Sequence, residues 1–188
     1  MSLIVQKYGG SSVADADKMK NVARRAIAAR EKGNQVVVVI SAMGDTTDDL
    51  IELAHQITSH PDEREMDVLL STGEIVSSTL LSMAIKSFGQ KAISLSGGQA
   101  GIQTDGTYSQ ARIRAISPQR VKSELDAGNI VVVISAMGDT TDDLIDLAHQ
   151  SRATLTRERW MSCSPPVRLS PVLFYLWPSR PLAKRPSA

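Results

Sequence analysis

Three short segments of this sequence carry residue types that could bind and transfer a phosphoryl group. In the first, Gly9 and Gly10 follow an apolar run and precede a helical pattern. Glycines at such a turn let backbone N–H groups approach an anion, and Lys7 could place a positive charge on a transferring phosphoryl group. The spacing is neither G-x-G-x-x-G nor a Walker A loop, and a Gly-Gly turn alone is usually just a turn.

The second segment, residues 41–47, reads SAMGDTT and follows a run of β-branched residues. It would place the hydroxyl groups of Ser41 and Thr47 at the carboxyl end of a strand, which is the usual ligand position in open α/β sheets. The alternative is that Thr46 or Thr47 caps the following helix, with Asp49 completing a capping box.

The third segment, residues 70–74, reads LSTGE and interrupts the apolar side of a long helical pattern. A glycine beside a glutamate there would be a poor choice for packing alone, which favours Glu74 facing a pocket and receiving a ligand's ammonium group. The alternative is an exposed glutamate on a solvated helix face. His55 and His60 have no second acid or thiol at catalytic or metal spacing, so we interpret them as surface residues.

A regular alternation of strands and helices would position these segments. Apolar spacing predicts helices at residues 15–30, 46–58 and 65–88 and another from Pro118, and β-rich runs predict strands at residues 3–8, 36–40, 92–95 and 130–134. A glycine-rich stretch covers residues 97–101. Unbroken β-branched runs are typical of strands buried on both faces in parallel sheets. The pattern therefore predicts a three-layer α/β domain with a mostly parallel sheet.

Composition and charge limit the classes of partner. A chain of 188 residues with 42% apolar residues is typical of one soluble globular domain. The last 38 residues hold seven of the 21 basic residues but one of the 20 acidic residues, so the body is mildly acidic. We expect no nucleic-acid partner.

Cysteine content and hydropathy predict the setting of the protein. Cys163 is the only cysteine, which excludes a disulfide framework and the ligand spacing of a zinc site. The apolar run before Lys7 is too short for a signal peptide, and no stretch suggests a membrane span. We expect a cytoplasmic protein with no membrane partner and no metal site of its own.

An internal repeat sets the later part of the chain apart. Residues 131–150 repeat residues 37–56 at a fixed offset of 94, and the only difference is Asp146 in place of Glu52. Repeats of a solenoid keep their pattern while their sequences drift, so near-identity indicates recent copying of the sequence.

The tail after Gln150 is explained by the same copy in a shifted reading frame. Codons for residues 65–71, read one base later, give the sequence of residues 159–164, and almost every tail residue follows in the same way. Arg180 and Pro181 are the exception, since the two cannot both be obtained. We therefore expect residues 151–188 to be an out-of-frame translation that was never selected for packing and is disordered.

Together and in this order, the three segments resemble the aspartate kinase family, which phosphorylates the side-chain carboxylate of L-aspartate with ATP. The resemblance runs from Leu3 to about Val133 and includes residues 64–74, which read REMDVLLSTGE, and residues 97–104. It implies the amino-acid kinase fold, a three-layer αβα sandwich, with ATP and Mg²⁺ as co-substrate. The implied ATP-binding residues are Lys7, Tyr8, Gly9, Gly10 and Ser11, with Lys7 also catalytic, and the implied aspartate-binding residues are Ser41, Thr47 and Glu74.

The sequence departs from the family after residue 133. Aspartate kinases continue there with an Ala-Gly-Phe-Gln-Gly turn, a Thr-Thr-Leu-Gly-Arg-Gly-Gly-Ser-Asp segment, a nucleotide-binding lobe and regulatory domains, and this chain has the repeat instead. We expect an incomplete kinase domain at residues 1–134, a copied segment at 135–150 and a tail at 151–188. Such a truncated chain would be inactive as a kinase.

Three alternatives stay open at this point. The chain could be a non-enzymatic aspartate-binding remnant or the product of a damaged gene. It could also be another amino-acid kinase, such as an acetylglutamate or uridylate kinase, although the signature at residues 71–74 counts against both. Homo-oligomers are compatible with the resemblance, although the regulatory domains are absent from the sequence.

Overall fold

The structure is a computed structural model that describes residues 2–109 and 111–135. The described residues all belong to one compact unit. The copied segment after Ser135 and the predicted out-of-frame tail lie outside the described residues.

The predicted strands and helices are confirmed, with ends that differ by two residues at most. The elements are β1 (Leu3–Tyr8), a 3-10 turn (Gly10–Ser12), α1 (Ala16–Glu31), β2 (Gln35–Ile40), α2 (Thr46–Ile57), α3 (Glu63–Ser87), β3 (Ala92–Leu95), β4 (Ile102–Thr104), β5 (Ile113–Ile116), α4 (Gln119–Asp126) and β6 (Ile130–Ile134). The sequence did not predict β4 and β5, which form a separate antiparallel pair with an irregularity between Gln103 and Thr104.

The main sheet has four parallel strands in the order β1-β2-β6-β3. Strands β2 and β6 contain the starts of the two copies of the repeat, and their register aligns these copies. Val37 pairs with Val131 and Ile40 with Ile134, so each residue of β2 lies beside its own copy in β6. All four strands end at the same edge of the sheet, where the predicted site segments follow β1 and β2.

Helices cover both faces of the sheet, which confirms the three-layer α/β architecture. Even-numbered strand residues such as Val36, Val38 and Val132 pack under α1 and α3 with Val22, Ala26, Leu81 and Ile85. Odd-numbered strand residues such as Val131 and Val133 pack with Val121 and Leu125 of α4. The unbroken valine runs thus contribute side chains to the hydrophobic cores on both faces of the sheet, as expected for strands that are buried on both faces.

Side-chain caps fix where two of the helices begin. The Asp15 carboxylate accepts a hydrogen bond from the Lys18 N–H at 2.8 Å, and the Asp62 carboxylate accepts one from the Glu65 N–H at 3.1 Å. By length and composition alone α3 is apolar enough to cross a membrane, a test that the core helix of a soluble protein also passes. Its contacts with α1, α2, β3 and β6 are those of a core helix in a layered fold.

Three serines of α3 are buried. Ser77 Oγ donates to the carbonyl oxygen of Ser41 at 2.8 Å, and Ser78 Oγ donates to the carbonyl oxygen of Ile75 at 3.0 Å. Ser82 is 4% exposed, and its hydroxyl has no hydrogen-bond partner among the described residues. The three positions therefore differ in what their hydroxyl groups contribute to stability.

We expect Ser82→Ala to stabilise the protein and Ser77→Ala to destabilise it. An unpaired buried hydroxyl costs about 1–3 kcal/mol, so removing that of Ser82 should raise the free energy of unfolding by about 1 kcal/mol. Ser77→Ala should lower it by a similar amount because the Ser41 carbonyl loses a donor. Urea unfolding followed by circular dichroism measures both. A loss of stability in Ser82→Ala would contradict an unpaired hydroxyl.

Candidate functional site

The first two predicted segments meet at the carboxyl ends of β1 and β2. In the parallel register Tyr8 lies opposite Ile40, and the Ser41 N–H donates to the Tyr8 carbonyl oxygen at 3.2 Å. Residues 9–12 and 41–45 therefore leave the sheet side by side. Ligands bind at this edge in open α/β sheets because the strands present loops and helix N-termini there.

Gly10 is the point of closest contact between the two segments. A Cβ atom on Gly10 would lie 2.9 Å from the carbonyl oxygen of Ala42 and 3.0 Å from that of Gly44. The Gly44 N–H donates to the Gly10 carbonyl oxygen at 3.1 Å, and Gly44 has a φ of +48°. This contact requires a residue without a side chain at position 10, so Gly10 shapes the site.

Gly9 has a different environment from Gly10. Its φ of −80° and ψ of 170° suit any residue, and nothing lies within 4 Å of the place where a Cβ would point. Neither conformation nor packing therefore demands a glycine there. Glycine is also used where a backbone must come close to a ligand, and an open approach to Gly9 fits that use.

The other candidate residues of the first segment point in different directions. Lys7 is exposed, and strand alternation places it on the α4 side of the sheet. Tyr8 is half-buried against the core under α1 and α3, and its hydroxyl donates to Gln6 Oε1 at 3.2 Å. Ser11 is exposed in the 3-10 turn. The side chain of Tyr8 thus serves packing, and its backbone borders the edge.

The third segment packs on the second through small residues of α3. A Cβ on Gly73 would lie 3.3 Å from Thr46 Cγ2 and 3.4 Å from Ala42 Cβ. One turn later, Ser77 Oγ donates to the Ser41 carbonyl oxygen. The interpretation of Gly73 as a poor choice for packing is therefore wrong, because α3 packs closely there on the start of α2 and on the loop before it, which favours a small residue.

Glu74 lies between these two contact points on α3. Its side chain is half-buried, and this burial raises its pKa from 4.5 to about 7. The alternative of an exposed glutamate on a solvated face is therefore wrong. A carboxyl group in such surroundings gains much when a cation arrives, since the partner replaces the water that burial has removed. The position suits a ligand ammonium group.

The start of α2 supplies the remaining candidates. The N-cap residue is Asp45, with no side-chain capping bond, while Thr46 and Thr47 are the first two helical residues. The alternative that a threonine caps this helix is wrong. Thr47 is half-buried at the helix N-terminus, where the first N–H groups have no partner within the helix and favour an anion.

Some features of the described residues lie away from this edge. A cavity of about 300 Å³ is lined by Arg64, Asp67, Ser71, Asp105 and Tyr108, among others, and includes none of the candidate residues. His55 and His60 are exposed, as predicted. Within residues 2–109 and 111–135, no three His, Cys, Asp or Glu side chains cluster as a metal site requires.

Two residues that matter to the edge were missed as candidates. Ser77 holds the Ser41 carbonyl, and Gly44 contacts Gly10. The position of Ser77, one helical turn after Glu74, is a signal that could have identified it, since residues three apart share a helix face. Gly44 lies within the SAMGDTT segment, but its contact with Gly10 depends on strand order.

Comparison with known proteins identifies the family. The model of the amino acid kinase family matches residues 2–155. The chain belongs to the amino acid kinase family. Among its relatives, the aspartokinase of Mycolicibacterium smegmatis is 51% identical over 142 residues, which are 76% of this chain and 34% of the relative. That of Geobacillus stearothermophilus is 52% identical over 140 residues, 74% of this chain and 34% of the relative. The chain thus spans about a third of the length of these relatives.

Solved structures agree with the fold. The aspartate kinase from Synechocystis is 47% identical with a TM-score of 0.61, and the match covers 71% of this chain and 21% of that one. Aspartokinase III from E. coli, in complex with aspartate and ADP, has a TM-score of 0.59 at 18% identity, covering 71% of this chain and 40% of that one. These similarities confirm the amino-acid kinase fold over the matched part of this chain.

Proposed function

We propose that this chain carries the aspartate-binding half of an aspartate kinase site together with its phosphate-binding turn. The observation that carries the proposal is the meeting of all three segments at one sheet edge, through Gly10 with Gly44 and Gly73 with Thr46. The 51% identity to an aspartokinase supports L-aspartate over the substrates of other amino acid kinases.

The turn after β1 is the part proposed to receive ATP. Gly9 leaves its backbone open to a phosphate, while Gly10 keeps the turn against residues 42–44. Ser11 and Lys7, both exposed, would add a hydroxyl donor and a positive charge, and the Tyr8 backbone borders them. In this proposal Lys7 is also catalytic because it would stabilise charge on the phosphoryl group in transfer.

The start of α2 and the middle of α3 are the parts proposed to receive L-aspartate. Glu74 would accept the ammonium group, because pairing restores the charge balance of a half-buried carboxylate. Thr47 would bind a carboxylate at the N-terminus of α2, and Ser41 would place a hydroxyl next to it. The E. coli aspartokinase III structure, which shares the fold, is a complex with aspartate and ADP, so that fold can bind an amino acid and an adenine nucleotide together.

Mg²⁺ would enter this site with ATP. The described residues hold no cluster of three metal-binding side chains, so they do not form a protein cage for the ion. Magnesium is commonly bound through substrate phosphates and few protein groups, which fits a site of this kind. A cytoplasmic location, where ATP and reduced thiols are available, completes the proposal.

We expect the polypeptide with this sequence to show no kinase activity. Phosphoryl transfer depends on positioning and on several charges around the transferred group. Among the described candidates Lys7 is the cation, and the family's Thr-Thr-Leu-Gly-Arg-Gly-Gly-Ser-Asp segment does not occur in the sequence. The measurement is aspartyl hydroxamate formation from ATP, aspartate and hydroxylamine. Activity that is above background and lost in Lys7→Ala would contradict this expectation.

Calorimetry with L-aspartate separates the proposal from its rivals. A folded aspartate-binding lobe should give a saturable heat that D-aspartate and L-glutamate do not reproduce. Glu74→Gln should remove that heat while leaving the melting transition cooperative. A folded chain that binds no L-aspartate would instead support a damaged-gene product without a binding role.

A further inference from the structure

The side of α3 that faces away from the core is apolar along most of its length. Its large apolar residues are between 39% and 60% exposed, and they are Val68, Ile75, Val76, Leu80 and Met83. Thr72 and Thr79 are exposed among them. We call these seven residues the outer α3 face, and at 3.6 residues per turn they occupy about 140° of the helix circumference.

Charged residues are confined to the two ends of the outer α3 face. Glu65 lies exposed at one end and Lys86 at the other. The charged residues between them in the sequence are Asp67 and Glu74, which are half-buried on the other side of the helix. The outer α3 face therefore has a charge-free centre about five turns long.

Neither helix propensity nor packing within the described residues explains this choice of side chains. Valine, isoleucine and threonine form helices less readily than alanine, lysine or glutamate, which are available for a solvated position. The hydroxyl of Thr72 donates to the Leu69 carbonyl oxygen at 2.6 Å, so its hydrogen bond is made within its own helix and the position can be buried at little cost. Contiguous exposed apolar residues of this kind mark an interaction surface.

The outer α3 face has the same order of residue types in both directions from its midpoint. Counted outward from that midpoint, the equivalent positions are Ile75 and Val76, Thr72 and Thr79, Val68 and Met83, and Glu65 and Lys86. A two-fold axis at the midpoint would therefore bring apolar residues level with apolar residues, threonine with threonine, and an acid with a base. Two-fold dimers require a surface that is complementary to itself in this way.

We propose that a second copy of this chain packs on the outer α3 face, with the two α3 helices antiparallel. Glu65 of one copy then lies level with the partner's Lys86 at each end. Glu65 also pairs with Arg64 in its own chain, so the partner's lysine adds a second cation. A parallel arrangement would instead bring glutamate to glutamate and lysine to lysine, which is repulsive. Because Glu74 is on the other side of α3, the dimer leaves it accessible, and the proposal does not depend on the proposed function.

The size of the outer α3 face sets the expected strength of the dimer. From Glu65 to Lys86 the helix is about 32 Å long and about 10 Å wide, so its footprint is roughly 300 Å² on each copy. A standard stable interface buries about 800 Å² on each partner. We therefore expect a dimer that dissociates at micromolar concentrations.

Sedimentation equilibrium of the full chain tests whether the outer α3 face associates. Val76→Glu places one carboxylate from each copy beside the two-fold axis, and we expect it to weaken dimerisation by about tenfold or more. Ala28→Glu adds the same acid at an exposed position of α1 and should leave dimerisation unchanged. Circular dichroism checks that both variants fold. A chain that stays monomeric at all concentrations, or an association that Val76→Glu does not weaken, would overturn the proposal.

Disulfide trapping tests the antiparallel register, with substitutions mild enough to keep the fold. Thr72→Cys and Thr79→Cys are made separately in a Cys163→Ser background. In the proposed register, position 72 lies level with the partner's position 79, within reach of a disulfide, whereas the same position in the two copies is about 10 Å apart along the helix axis. Oxidation of an equimolar mixture should thus give a disulfide-linked dimer, and oxidation of either variant alone should not.

The same samples distinguish the other arrangements. Disulfide-linked dimers from either variant alone, and not from the mixture, would indicate parallel helices and overturn the proposal. If the mixture gives no disulfide and the chain floats with phosphatidylcholine vesicles, a lipid surface covers the outer α3 face and the proposal is wrong.

Discussion

Gly10→Ala will destabilise the fold, whereas Gly9→Ala will leave its stability almost unchanged. A Cβ on Gly10 would lie 2.9 Å from the Ala42 carbonyl oxygen and 3.0 Å from that of Gly44, and neither backbone atom can rotate away. Such overpacking costs about 1–3 kcal/mol. The loop after β2 would have to move, which would lengthen the hydrogen bond from the Gly44 N–H to the Gly10 carbonyl oxygen. Urea unfolding measures the change in free energy.

Gly9→Ala is the matched control, because it adds the same methyl group one residue earlier. Its backbone angles suit alanine and the space around it is open, so the free energy of unfolding should stay the same or rise slightly. Under the proposed function, Gly9→Ala should weaken binding of pyrophosphate, detected by ³¹P NMR titration. Equal losses of stability in the two variants would contradict the difference between their environments.

The elements around the site were predictable because each has a local signal. The run Val36–Ile40 is β-branched throughout, and Asp15 precedes a helical pattern as a capping residue should. The β4–β5 pair was not predicted because its strands have 3 and 4 residues and an irregular register. The alternation of apolar and polar residues that indicates a strand cannot be recognised over so few positions.

The candidate site was predictable as a set of segments but not as a set of contacts. Strand order brings Gly10 to Gly44, and the packing of α3 brings Ser77 to Ser41, which is 36 residues away in the chain. The sequence contains no local signal for either contact. The same limit explains the interpretation of Gly73, which was based on helix propensity, whereas its close neighbours Thr46 and Ala42 come from other elements.

Binding of L-aspartate will depend on pH through Glu74, with affinity rising as pH increases through about 7 and levelling off above about pH 8. Burial raises the pKa of Glu74 to about 7, so at about pH 6 most of these carboxyl groups are protonated and cannot pair with an ammonium group. The affinity should then be about tenfold weaker at pH 6 than at pH 8, and binding at pH 7 should release about half a proton. Calorimetry in buffers of different ionisation enthalpy measures both quantities.

Glu74→Gln separates this charge from the packing around it. The variant should lose the pH dependence together with most of the affinity, whereas Glu63→Gln, at an exposed position on the same helix, should keep both.

Without ligand, the raised pKa of Glu74 means that its stabilising contribution is complete below about pH 4.5 and is lost as pH rises through about 7. Glu74→Gln should therefore melt at a higher temperature than the unaltered chain at about pH 8. If the affinity for L-aspartate stays constant between pH 6 and pH 8, the group that binds the ammonium does not titrate in this range. The ammonium group would then bind a residue other than Glu74.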